Sequence, residues 1–451
     1  MTKQLRVAII GAGPAGIYAG NILSREYPDV AIDLFDSLPA PYGLIRYGVA
    51  PDHPRIKGIV NSLHEMLAEG VIRFIGNVTF GRDLTIADLR ANYHAVIFAT
   101  GAIKDADLNI PGIDLNGSYG AADFVSWYDG HPDYPLTWPL EAEQVAVLGN
   151  GNVALDVARM LAKHADDLLP TDIPANVYEG LKGSPVTDVH VFGRRGPGSI
   201  KFTPIELREL GEVPDVDIVL YEEDFPAGWD EESHEGVTNQ HKVMARIING
   251  WREEPKTGSS RRLHLHFWSR PVEIIGEKGK VTGMRFERTK SNGDGTVSGT
   301  GEFADYPLQA VYRAIGYFGS ELPEVPFDAK HGVISNTGGR VTDASGAQVP
   351  GLYATGWIKR GPVGLIGHTK SDASETIANL VADASHLADP IDSDENAPFK
   401  LLTDRGVAFT TWDGWQKLDS HERSLGESYR PVPRERIKVV DRDEQVRISN
   451  S

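Results

Sequence analysis

The chain has 451 residues, 41% apolar and 24% charged, which is enough apolar material for the cores of two domains and argues against disorder. Its 45 Lys and Arg against 63 Asp and Glu leave a net charge of −18, which excludes a general affinity for nucleic acid and stable association with an anionic membrane. There is no cysteine, so disulfides, thiolate-held iron–sulfur clusters and thiol catalysis are excluded as well.

In chain order, "LRVAIIGAGPAGIYAGNIL" (5 to 23) opens as an apolar, β-branched strand that turns through glycines into a helical pattern. Gly11 permits the tight turn, Gly13 lets the backbone approach a pyrophosphate, and Gly16 lets helix and strand pack closely, with Pro14 and Ala15 inside the same turn. The strand "VAIDLFD" (30 to 36) ends in Asp36, placed where a carboxylate can accept ribose hydroxyls. This strand-like start, a few residues after Met1, leaves no room for a targeting segment, and no run approaches the roughly eighteen apolar residues of a membrane span. A cytoplasmic protein is expected.

The loop "LPAPYGLIRYGVAPDHPRIK" (38 to 57) is dense in Pro and Gly and reads as a fixed irregular path over a cofactor. Gly43 and Leu44 are its candidate contacts, and His53 reads equally as a proton relay at the cofactor edge or as a structural histidine. Thr100 and Gly101 follow a further strand, "HAVIFATG" (94 to 101).

"VLGNGNVALDVARML" (147 to 161) repeats the glycine pattern, with Gly149, Gly151 and Ala154 in the three roles and Asn152 and Val153 in the turn. Its next strand ends in "VFGRRG", so Arg194 and Arg195 stand where Asp36 stands in the first unit, and arginine forks suit a 2′-phosphate. A solvated arginine pair is the other reading, because the spacing from Ala154 is about twice the usual; residues 163 to 185 read as an insertion that accounts for it. A carboxylate at one motif and arginines at the other point to FAD and NADP(H), and hence to electron transfer.

Segment 261 to 314 alternates with period two around "SNGDGT" and reads as an antiparallel excursion; its "HLH" needs no metal. "YATGWIKRGPVGLIGH" (353 to 368) combines small residues such as Gly356 with Trp357 at a helix entry whose backbone amides can face a cofactor, with Trp357 equally readable as a core aromatic. A helix over 370 to 384 follows, and the tail from about 390, with Trp412 and Trp415, reads as ordered packing. No GxSxG or HExxH pattern occurs, and "GRRGPGSIK" has its Lys in the wrong place for a P-loop.

The fold class is α/β: two doubly wound Rossmann-like dinucleotide-binding domains, the second carrying the antiparallel excursion. "GAGPAG", "LPAPYGLIRYGVAPDHPRIK", "GNGNVALDVARML", "GRRGP" with "FTPIELREL", and "ATGWIKRGPVGLIG" together resemble the adrenodoxin reductase-like ferredoxin:NADP reductases, especially bacterial ones, from residue 5 to about 385. The resemblance implies an FAD domain from both chain ends (1–105 and 331–451) and an NADP domain between them (106–330). It implies hydride transfer from NADPH to FAD, then single electrons to a ferredoxin-type iron–sulfur protein. His53 and Glu209 match residues lining the flavin and nicotinamide region, and Asp156 matches an aspartate linked with the proton network near His53. The resemblance also implies that Trp357 and Gly364, Leu365 and Ile366 match a flavin-contacting segment.

"GPGSIKFT" departs from the family's more apolar stretch. An acidic partner requires a local basic face, for which Arg208, Lys242 and Arg246 are candidates beside the reading of a solvated helix face. A monomer or weak dimer is expected. A disulfide reductase shares the two-motif plan but needs a cysteine pair; an FAD-dependent monooxygenase and a nucleotide-bound redox sensor stay open.

Overall fold

The computed structural model describes residues 4–226, 229, 238–363, 366–430 and 432–451. The chain divides into two compact units, Met1–Lys104 with Asp129–Asp133 and Tyr317–Ser451, and Asp105–Tyr128 with Tyr134–Gly316.

The first unit is built on an eight-stranded sheet, in the order Asn336–Thr337, Arg340–Thr342, Gln348–Ala354, Ala95–Phe98, Leu5–Ile10, Val30–Phe35, Ile72–Gly76, Thr410–Thr411. Its five central strands run parallel, with Val7 opposite Ala95 and Ile32. Leu5–Ile10 is wholly buried because both sheet faces are covered, so it is apolar on both sides except at Arg6, whose Nη1 donates to the Asp392 carbonyl at 3.0 Å. Val7 and Ile9 pack with Ile17, Ala373 and Ile377, whereas Ala8 and Ile10 pack with Phe35, Phe98 and Leu352. Burying each such large side chain contributes about 1.5 to 3 kcal/mol before entropic costs.

The expected domain limit near 330 lies instead at 316/317. The hairpin of Phe327–Asp328 with Val333–Ile334 belongs to the first unit, because Val325 and Ile334 join the cluster of Val341 and Leu352. Residues Asp129–Asp133 also belong there: the buried Asp129 accepts from Lys57 at 3.2 Å and from Lys438, whose Nζ also donates to the Arg46 carbonyl at 2.8 Å. The tail is ordered, as its composition indicates, with Trp415 buried and edge-on to Tyr42. Glu422 of helix Trp412–Ser428 holds Arg46 of the 38–57 loop in a bidentate pair (2.9 and 2.5 Å).

The second unit has a six-stranded parallel sheet in the order Ser118–Gly120, Ala310–Arg313, Gln144–Leu148, Asp188–Phe192, Arg261–His266, Val216–Leu220. The antiparallel excursion is narrower than the alternation indicated. It comprises Ser269–Glu277, Lys280–Ser291 and Val297–Tyr306, while "RRLHLH" is a parallel strand. The period-two pattern there separates Leu263 and Leu265 from His264 and His266, and all four are buried. Ile274, Met284 and Phe286 of the excursion pack on Leu148, Phe192 and Val311, capping one sheet face.

Candidate functional site

In the first glycine turn, Gly11 has φ +112°, and a Cβ there would lie 2.4 Å from the Ala99 carbonyl oxygen. A Cβ on Gly16 would lie 1.9 Å from the Gly11 oxygen. Both positions therefore require glycine for the fold alone. Gly13 does not: its φ is −75°, and the nearest atom to a Cβ would be Gly43 Cα at an ordinary 3.9 Å. Among the described residues glycine at 13 has neither a conformational nor a packing reason, which fits a position that a ligand approaches closely.

Other expected contacts gather round this turn. Gly43 (φ +49°) backs onto Gly13, with Leu44 opening the short helix Leu44–Tyr47. Gly356 (φ +74°) abuts Ala15, where a Cβ would come within 2.6 Å of the alanine Cβ. Thr100 and Gly101 follow Ala99, and space beside Gly101 (φ +72°) is open. Helix Pro14–Glu26 has no side-chain cap and no acid in its first turn, so its terminal amides face outward as an anion site.

Asp36 is buried, and its carboxylate accepts from Ala12 N (2.6 Å) and Leu38 N (2.8 Å). Burial raises its pKa to about 6 against the opposing effect of these two amides. Its first task is thus to hold the glycine turn against the following loop; each oxygen keeps a second lone pair that a ribose hydroxyl can use.

The second turn repeats the design. Gly149 has φ +147°, and a Cβ would lie 2.2 Å from the Ala314 oxygen, at the end of the neighbouring strand as Ala99 is in the first unit. Gly151, at φ −121°, has nothing within 4 Å of a Cβ position, again without an internal reason for glycine. Helix Asn152–Ala162, carrying Val153 and Ala154, is likewise uncapped by a side chain and free of acids in its first turn. Asn152 Oδ1 accepts from Thr203 N at 3.2 Å, tying the turn to helix Pro204–Gly211.

Arg194 is exposed and Arg195 half-buried just beyond strand Asp188–Phe192. Among the described residues neither makes an ion pair, and Arg195 Nε is buried without a hydrogen-bond partner. In a chain with an excess of acids, two adjacent unpaired guanidinium groups beside an uncapped helix fit an anion of more than one charge.

His53 is buried at the start of the short helix Pro54–Lys57 in the first unit. Asp156, paired with Arg159 at 2.9 Å, and the half-buried Glu209 belong to the second unit. Trp357 is half-buried at the start of helix Trp357–Arg360. Gly364 and Leu365 lie outside the described residues, and Ile366 is the first residue of helix Ile366–Asp383.

Asp372 was not visible from sequence. Its Oδ2 accepts from Gly356 N (2.5 Å) and Thr355 Oγ1 (3.3 Å), and its Oδ1 pairs with the buried Lys359 Nζ (2.9 Å). One carboxylate thereby clamps the turn bearing Gly356 and Trp357. Its only sequence signal is an acid on the polar side of a helix, which has no distinguishing pattern.

His190, His264 and His266 come together, with one ligand atom from each within 4.8 Å of the others. Four of their nitrogens are engaged otherwise: His190 Nδ1 meets His266 Nε2 at 3.0 Å, and His264 bonds Tyr221 (2.8 Å) and Asp188 (2.9 Å), while His190 Nε2 is buried without a hydrogen-bond partner. His190 stacks on His264 (4.2 Å, 12°) and Tyr221 on His266 (4.5 Å, 20°), so parallel rings do not aim their lone pairs at one point. Burial lowers the pKa of all three, His190 to about 3.

Two dinucleotide-binding folds, one closed by a carboxylate and one by an unpaired arginine pair, define a flavin- and pyridine-nucleotide-dependent oxidoreductase. Residues 5–192 match the family described as pyridine nucleotide-disulphide oxidoreductase, although this chain has no thiol for disulfide chemistry. It is 38% identical over 461 aligned positions to NADPH-ferredoxin reductase FprA of Mycobacterium tuberculosis, covering 98% of each chain. It is 36% identical to the mitochondrial NADPH:adrenodoxin oxidoreductase of Arabidopsis thaliana, covering 97% of this chain and 94% of that one. The solved structure of M. tuberculosis FprA in complex with NADPH superimposes with a TM-score of 0.91 at 36% identity, covering all of both chains. The chain belongs to the adrenodoxin reductase-like NADPH:ferredoxin reductase family, and its cofactors are FAD and NADP(H).

Proposed function

We infer that this chain carries electrons from NADPH through FAD to a ferredoxin-type iron–sulfur protein. The observation that carries the reading is the pairing of two uncapped glycine-turn helices in one chain, with Asp36 at one and the unpaired Arg194 and Arg195 at the other. FAD, when bound, accepts a hydride and releases electrons singly, chemistry that no side chain of this cysteine-free protein supplies.

In this reading the first unit (1–104, 129–133, 317–451) holds FAD and the second NADP(H). Gly11, Gly13 and Gly16 with the amides following Pro14 hold the flavin pyrophosphate, and Asp36 holds the turn closed and accepts from the ribose. Gly43, Leu44, Thr100, Gly101, Gly356 and Trp357 line the flavin. Gly149, Gly151, Asn152, Val153 and Ala154 hold the NADP pyrophosphate, and Arg194 and Arg195 its 2′-phosphate. His53 manages the proton that accompanies flavin reduction, and Asp156 and Glu209 support the nicotinamide region.

The partner is an acidic ferredoxin, met by Arg208, Lys242 and Arg246 on helices Pro204–Gly211 and Asn239–Glu253. No helix among the described residues is long and apolar enough to cross a membrane. We place the protein in the cytoplasm, for which cell fractionation is the test.

Steady-state reduction of a purified ferredoxin decides the activity. Reduction with NADPH that far exceeds that with NADH, slows steeply with added salt, and is abolished by removing FAD is expected. NADPH consumption that yields only hydrogen peroxide or a hydroxylated substrate would refute it.

A further inference from the structure

The antiparallel excursion covers a sheet face, yet its first two strands also carry polar contacts that core packing does not need. Thr289 Oγ1 donates to the Arg194 carbonyl (2.8 Å), and Thr289 is itself buried. Trp268 N donates to the Arg195 carbonyl (3.1 Å), and Ser269 N donates to the Gly193 carbonyl (2.9 Å). Three successive carbonyls of the "GRR" turn are therefore held by the excursion and by Trp268, the residue that leads into it, while the two arginine side chains make no ion pair among the described residues.

Trp268 is built for this position at some cost. Its φ is +52°, a left-handed conformation that bulky residues rarely adopt. Its indole Nε1 donates to the Asp224 carbonyl (3.0 Å), and Asp224 Oδ2 accepts from Phe267 N (2.8 Å) while Oδ1 accepts from Arg288. The Trp268 carbonyl accepts from Thr289 N (2.8 Å), which links the two buttressing residues. The ring lies against Gly196, where a Cβ would come within 2.1 Å of Trp268 Cζ2, so only glycine fits beneath it.

We propose that Trp268 and Thr289 are positioning residues for coenzyme selectivity, fixing the backbone of Arg194 to Gly196 so that the arginine pair is preorganised for the 2′-phosphate of NADP(H). This rests on the assignment of Arg194 and Arg195 to that phosphate. A turn held at three carbonyls presents both arginines from a backbone that need not be ordered on binding, and the ordering that a free loop would require is what weakens binding. The adenosine and pyrophosphate contacts at the Gly149 turn do not pass through these bonds, so only ligands with a 2′-phosphate should respond.

The test is calorimetric titration of the FAD-loaded, full-length protein with 2′,5′-ADP and with 5′-AMP. For Thr289→Val, which removes the donor at nearly constant shape, binding of 2′,5′-ADP should weaken about tenfold, with 5′-AMP unchanged and Thr289→Ser restoring the original affinity. Trp268→Gly accepts the left-handed backbone and removes the ring, and it should weaken 2′,5′-ADP selectively without lowering thermal stability in proportion. Equal losses for both ligands, or no loss for either, would overturn the buttress. Arg194→Ala with Arg195→Ala separates the two levels. If that double variant keeps its preference for 2′,5′-ADP, the phosphate assignment itself falls and the buttress with it; if it loses the preference and Thr289→Val does not, the buttress alone falls.

Discussion

The two glycine turns are near copies of one another up to the end of the following strand, and there they part. In each, the first glycine sits against the carbonyl just past the neighbouring strand, Ala99 in one and Ala314 in the other. In each, the second glycine answers to nothing inside the protein. At the strand end, Asp36 is buried and bonded to Ala12 N and Leu38 N, whereas the exposed Arg194 and the half-buried Arg195 make no ion pair among the described residues. The two turns thus share one scaffold and differ at the strand end, where the acid is bonded within the protein and the arginines make no ion pair among the described residues.

The largest expected effect falls on the basic side. Arg194→Ala with Arg195→Ala should raise KM for NADPH by a factor of ten to a hundred for each charged hydrogen bond lost, about 1.5 to 3 kcal/mol apiece, and change that for NADH little. Steady-state kinetics with both coenzymes checks this, and parallel losses would erase the distinction between the turns.

Next comes Gly16→Ala. With a Cβ 1.9 Å from the Gly11 oxygen, overpacking should cost about 3 kcal/mol and release FAD, seen in denaturant midpoints and the flavin-to-protein absorbance ratio. Asp36→Asn should cost about 1 to 3 kcal/mol, since its single acceptor oxygen cannot serve both amides. A stability equal to wild type would mean those bonds do not hold the turn.

Acid should act on the two units in opposite senses. Asp36, raised to about 6 from 3.8, favours the folded first unit when protonated, a contribution present below pH 4 and lost as pH rises through 6. The histidine stack, lowered from 6.5 with His190 at about 3, stabilises the second unit above pH 6.5 and loses that contribution as pH falls toward 3. Stability of the second unit should therefore fall by up to about 1.4 kcal/mol per pH unit for each histidine protonated only on unfolding. Denaturation followed by hydrogen exchange between pH 4 and 7 reads this unit by unit. The smallest effect is expected at Ala154→Gly, the counterpart of Gly16, where weaker helix propensity should cost about 1 kcal/mol without loss of NADPH binding.

Both turns were legible because their requirements are local: a strand, a glycine at a fixed offset, a helix, and one charged residue at the next strand end. Asp372, which clamps Gly356 and pairs with Lys359, was not legible, because a single acid on a helix has no pattern until the chain folds back on it. The same holds for Glu422 on Arg46, 376 positions apart. Period two in "RRLHLH" identified a strand and misplaced it, since alternation reports two different faces and not the direction of the neighbours. Asp36 was singled out for a ribose contact, and its bonds to Ala12 N and Leu38 N were not legible, because sequence cannot display the backbone amides that come to it.

Anaerobic stopped-flow absorbance with NADPH, and separately with NADH, tests the central claim most directly. Rapid bleaching of the bound flavin by NADPH, slow bleaching by NADH, and reoxidation on adding a ferredoxin are predicted. A bound flavin that NADPH leaves oxidised would contradict the account, because the two turns would then hold two nucleotides with no electron path between them.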